Sequence, residues 1–147
     1  MVTNMIGKLW LAGNLPIRDG FYRADGAARA VRIDASAPGG LALLEPFDLE
    51  ALLLADPERV TCIDITVEEN CPTVRDACAA GKPPTGSEGF FGRLDRYKNL
   101  VWVVYLQDSN PFIEAVLDRT HATVTSSSDV SITVDLTSSE FGPARSW

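Results

Sequence analysis

Few side chains in this 147-residue chain have both the type and the setting to do chemistry, and the most suggestive is Asp64. It interrupts the apolar run Val60 to Val67, VTCIDITV. A carboxylate in such a run needs a charged partner, hydrogen bonds or a cavity, because burying it alone is costly. Glu68 and Glu69 follow just past that run, and Asp108 stands just past a second one, Leu100 to Leu106, LVWVVYL. If the two runs are neighbouring strands, these acids converge on the rim where open α/β sheets place ligands. Such a rim can hold a hard cation or supply an acid and a base. His121 is the one histidine, the residue type that ordinarily titrates near neutral pH, and is the candidate proton carrier. Cys71 stands where a helix N-terminus is expected, and unpaired amides there favour a thiolate. With His121 as base and Asp64 or Asp108 to orient it, Cys71 completes a nucleophile's set. The catalytic candidates are therefore Asp64, Asp108, His121 and Cys71.

The known signatures that would commit these residues are missing. The acids match no D-x-D-x-D-G calcium loop, and no C-x-x-C pair accompanies the lone histidine, so no metal is expected. Glycines 86, 89 and 92 read G-S-E-G-F-F-G, without a strand directly before them or a Lys-Ser/Thr after, so no nucleotide cofactor is expected either. No motif ties the chain to a known enzyme group.

Charge points elsewhere. Thirteen basic and 20 acidic residues give a net charge of −7, and the 25 residues from Glu45 to Glu69 hold eight acids against Arg59 alone. The remainder balances. With three lysines and no basic run, neither nucleic acid nor an anionic membrane is an expected partner, whereas the basic surface of another protein is. Glu45, Asp48, Glu50, Glu58, Glu68 and Glu69 are the candidate partner-binding residues. No apolar stretch approaches the roughly 18 residues that span a bilayer, and the first residues lack an export leader. Three cysteines, an odd number in a chain long enough to fold without staples, favour a reducing compartment, so a cytoplasmic protein is expected.

The elements that must position these residues follow from pattern. Phe21 to Ala24 and Ala28 to Asp34 form a hairpin about Asp25-Gly26, and Lys8 to Ala12 and Leu41 to Leu44 read as further short strands. Asp48 caps a two-turn helix through Leu49, Leu52 and Leu53 that ends at Pro57. Val60 to Val67 reads as an interior strand. Asn70 caps a helix from Cys71 to Ala80, and Ser87 or Thr85 caps a second one carrying Phe90, Phe91, Leu94 and Tyr97. Leu100 to Leu106, apolar on both faces, reads as a central strand, and a crossover of more than thirty residues permits it to run parallel to 60–67. Phe112 to Leu117 reads as a two-turn helix behind Pro111 or as a strand, with the helix favoured. His121 to Ser126 and Val130 to Leu136 alternate strictly and form a hairpin about Ser127-Ser128-Asp129. The expectation is one α+β domain over 1–147: a mixed sheet with a hairpin-rich N-terminal part, a central β-α-α-β crossover, an antiparallel C-terminal hairpin and an irregular tail at 138–147.

Two functions fit these residues. The first is a small acidic cytosolic domain that binds a basic protein, as its inhibitor or assembly partner. The second is a small-molecule enzyme or ligand-binding domain using the carboxylate rim of Asp64 and Asp108 with His121.

Overall fold

The computed structural model describes residues 5–70, 77–83, 86–118 and 120–135. Its elements in chain order are α1 (Met5–Leu11), β1 (Asn14–Pro16), β2 (Gly20–Arg23), β3 (Ala28–Ile33), a 3₁₀ turn (Pro38–Gly40), β4 (Leu41–Pro46), α2 (Leu49–Ala55), β5 (Val60–Cys62), β6 (Asp64–Asn70), β7 (Ala77–Lys82), β8 (Gly89–Leu94), β9 (Leu100–Leu106), β10 (Phe112–Asp118), β11 (His121–Ser126) and β12 (Ser131–Asp135). Seven strands form one sheet in the order β4-β3-β2-β9-β8-β7-β6. Three more make the sheet β10-β11-β12, and β1 pairs with β5 as a ribbon. Among the described residues every pairing is antiparallel.

β9 is the middle strand of the seven, and its unbroken apolar run is explained by cover on both faces. Trp102, Val104 and Leu106 join a core with Phe112, Ala122, Val124, Ile132 and Val134 of the three-stranded sheet. Val103 and Tyr105 point the other way, into a core with Ile6 of α1, Leu15 of β1 and Leu49 and Leu53 of α2. The neighbours repeat this division: β2 sends Phe21 to the first core and Tyr22 to the second, and β8 sends Phe91 and Phe90 likewise. The described residues thus form three layers, with strands predominating over their two helices.

Several expected elements are present. The β2–β3 hairpin turns at Asp25-Gly26, where Gly26 has φ 104° and Asp25 Oδ1 accepts from the Ala27 amide at 3.0 Å. Ala51 N–H donates to Asp48 Oδ1 at 3.1 Å, so Asp48 is the N-cap of α2. The β11–β12 hairpin turns through Asp129 at φ 67°, with Ser126 Oγ accepting from the Val130 amide.

Among the described residues the expected central crossover is not found. The run 60–67 breaks at Ile63: β5 pairs with β1, while β6 pairs with β7 at the outer edge of the large sheet, separated from β9 by β7 and β8. What reads as an alanine-rich helix up to residue 80 is strand β7 from Ala77 on, buried from Ala77 to Gly81, with Cys78 and Ala80 in the first core and Ala77 and Ala79 packed with Leu94 on the other face. A Cβ on Gly81 would run into the Asp64 carbonyl, so tertiary packing outweighs helical propensity here. The expected helix carrying Phe90 and Phe91 is strand β8, and a Cβ on Gly92 would lie 2.8 Å from the Trp102 carbonyl of β9. Phe112 to Leu117 is also a strand. A bulge between Phe112 and Glu114 sets Phe112, Ala115 and Leu117 against the core, a spacing that imitates a helix. The segment 8–12 is helical instead of extended: Ile6, Leu9 and Trp10 share one face against the second core, and Gly13 at φ 76° ends the helix. The expected helix start at Asn70 and Cys71, and the tail 138–147, lie outside the described residues or at their limit.

The double cover of β9 makes a sharp test. Val103→Asp places an unpaired charge in a fully buried site and is expected to cost about 4 kcal/mol or more, leaving no folded soluble protein. Ile65→Asp, at a half-exposed position of β6, is expected to stay within roughly 1 kcal/mol of the parent in urea titration. A cooperative Val103→Asp melt within a few degrees of the parent contradicts this architecture.

Candidate functional site

The fold disperses the expected rim. Asp64 is exposed on β6 opposite Lys82, and Asp108 follows β9, so β7 and β8 stand between them. His121 belongs to the other sheet, paired with Asp118 and Asp135, with its Nδ1 2.9 Å from Thr120 Oγ1. Cys71 lies outside the described residues. Cys78 is fully buried, and burial, with a smaller contribution from Glu69, pushes its thiol up to about 12, which leaves it unreactive. Among the described residues no group of three or more His, Cys, Asp or Glu is arranged to hold a metal.

Asp108 instead has Asp19 as its acidic neighbour. Burial pushes the Asp19 carboxyl above its ordinary value; the Gln107 amide, donating to Oδ1 at 2.7 Å, opposes this, and the Asp108 charge adds to it. Close by on β9, Tyr105 is wholly buried, and burial together with the charges of Glu88 and Asp19 raises its phenol. Tyr105 Oη and Glu88 Oε2 are both buried without a hydrogen-bond partner. Tyr22, on the same face, is satisfied by donating to the Arg18 carbonyl at 2.8 Å.

A second feature is open to solvent. Between α1, the β2–β3 turn and the link from β4 to α2 lies a cleft of about 600 Å³, within the range of ligand pockets. Ile6, Tyr22, Ala28, Phe47 and Leu49 supply its apolar wall, and Arg29, Asp48 and Glu50 its charged mouth. Local chemistry fixes this wall. The Phe47 amide donates to the Ala28 carbonyl, its ring meets Tyr22 edge-on at 5.8 Å, and the Arg18 guanidinium lies 3.8 Å from the ring centroid. Arg29 Nε donates to the Leu44 carbonyl at 2.8 Å, which ties that cation back against β4.

The eight acids of the 45–69 segment separate into two groups. Glu45, Asp48, Glu50, Asp56 and Glu58 are exposed at the end of β4 and around α2. Asp64, Glu68 and Glu69 are exposed on β6, six strand spacings from β4 and so roughly 29 Å away along the sheet. Glu68 Oε2 is held by Lys98 Nζ at 2.6 Å. Charges on an outer strand discourage edge-to-edge pairing, which gives the second group a structural reason to exist.

Sequence reading missed Phe47, Asp19, Glu88 and Tyr105. Phe47 had a signal, since an apolar residue just before an N-cap commonly packs back onto its helix. The other three converge only once β2, β9 and β8 are known to be adjacent. No family model matches the chain, and no curated protein or solved structure is found to be similar to it.

The unpartnered phenol gives a second test. Tyr105→Phe removes a buried hydroxyl that makes no bond and is expected to raise stability by about 1 kcal/mol in urea titration. A comparable loss would show that the hydroxyl is bound.

Proposed function

We propose that this chain is a protein-binding domain for a basic partner, acting as its inhibitor or assembly partner through the acidic face around α2. The observation that carries the reading is the exposure of Glu45, Asp48, Glu50, Asp56 and Glu58 together on one short segment. The segment's one cation, Arg59, donates its Nε to the Ile17 carbonyl at 3.0 Å and is outnumbered five to one by these acids. Such a face steers a cationic partner and orients it. Glu68 and Glu69, expected from sequence to belong to the same surface, are assigned instead to protection of the β6 edge. Cys62 and Cys78 are free thiols, which supports a reducing, cytoplasmic setting.

A second reading, a small-molecule site, is favoured by one observation, the buried and unpartnered Tyr105 hydroxyl beside Glu88. Of the rim residues it keeps Asp108, with Asp19, Glu88 and Tyr105 as its new members.

Charge reversal separates the two acidic groups. The triple variant Glu45→Lys, Glu50→Lys, Glu58→Lys is expected to weaken capture of proteins from lysate at low salt by about tenfold or more and to flatten its salt dependence. Reversing Asp64, Glu68 and Glu69 is expected to leave the same proteins bound. Equal effects of the two triples, or capture that ignores salt, overturns the reading.

A further inference from the structure

We propose that the cleft beneath α1 and α2 seats an apolar side chain of the partner while the lysine or arginine beside it pairs with Glu50, so that the ligand is a protein segment with an apolar residue next to a basic one. This rests on the acidic face being a protein-binding surface and adds to it a place where the partner is anchored.

The cleft has the shape for such an anchor. Its wall is apolar, and the Phe47 ring is contacted by Tyr22 edge-on and by the Arg18 guanidinium. Anchors of this kind, one side chain in a preformed pocket, carry much of the binding energy at protein interfaces. The mouth then selects by charge. Asp48 uses Oδ1 to cap α2, and Arg29 keeps its charge while donating Nε to the Leu44 carbonyl, so Glu50, exposed in the first turn of α2, is the carboxylate free to meet a cation. Glu45 stands one residue before Pro46 of the lining and adds to the field.

The same charges argue against the other occupants. A second copy of the chain would bring a net charge of −7 of its own and, in a symmetric contact, the same acidic mouth. A fatty acid or an anionic lipid would bring its negative head to a mouth where the carboxylates of Glu50 and Asp48 outnumber the one cation, Arg29. A basic segment alone, without an apolar residue, would leave the wall unused.

The probes are three capped pentapeptides of defined sequence, titrated into the ¹⁵N-labelled full chain and followed by amide shifts. One carries leucine beside two arginines, one has glycine in place of the leucine, and one has glutamates in place of the arginines. The leucine–arginine peptide is expected to bind about tenfold more tightly than the glycine–arginine one, with shifts at Ile6, Ala28, Phe47 and Leu49, and the glutamate peptide not at all. Ala27→Phe, at an exposed position on the cleft wall, is expected to bring the leucine peptide down to the level of the glycine peptide without changing the latter. Glu50→Gln is expected to weaken both arginine peptides.

Equal binding of the two arginine peptides, with shifts along Glu45 to Glu58, overturns the anchor and leaves the acidic face standing. Equal binding of the leucine–arginine and leucine–glutamate peptides, or no binding of any, overturns both.

Discussion

The structure depends on a single requirement, that both faces of Leu100 to Leu106 be kept from water. A strand reading Leu-Val-Trp-Val-Val-Tyr-Leu has no solvent side, and its five residues from Trp102 to Leu106 are at most 1% exposed. One layer cannot meet that requirement. The three-stranded sheet covers Trp102, Val104 and Leu106, while the two helices and the β1–β5 ribbon cover Val103 and Tyr105. β2 and β8, which flank β9, are drawn into the same double cover, and this is where Phe21, Tyr22, Phe90 and Phe91 go. The aromatic rings of the first core then meet edge to face, Phe91 with Trp102 at 6.1 Å and with Phe112 at 5.2 Å.

Once the centre of the sheet is fixed, the places left for charge are its margins. β6, at one edge, is exposed along most of its length, and carries Asp64, Glu68 and Glu69. β4, at the other, leads through Glu45 into α2, which carries Glu50 and is bracketed by Asp48 and Asp56. A segment that looks continuous along the chain therefore becomes two acidic groups on opposite margins, one bordering an open cleft and one guarding an edge. The functional reading follows from this separation.

How far the sequence discloses this depends on whether the deciding interaction is local. The Asp25-Gly26 turn, the Asp48 cap and the strict alternation of 121–126 against 130–136 are set by near neighbours, and each is legible. β9 is legible too, because a run with no polar face has one kind of home. β7 and β8 are not. Alanine at 77, 79 and 80 favours a helix in isolation, and what makes the segment a strand is its pairing with β6 and β8, which no local pattern shows. In β10 one bulged residue changes the phase and makes a strand look helical. The same limit governs the sites. Asp48 and Glu50 belong to a local motif and are readable, whereas Asp19, Glu88, Tyr105 and Asp108 come together through the order β2-β9-β8. Asp64 is misleading because the run around it is two short strands on different sheets.

Amide hydrogen exchange tests most directly the claim that the doubly covered strand organises the rest. Amides of Val103 and Val104 should exchange only through global unfolding and be among the slowest in the chain, and those of Ile65 and Val67 on β6 should exchange through local opening, orders of magnitude faster. Protection on β6 equal to that on β9, or rapid exchange along Leu100 to Leu106, would contradict the account.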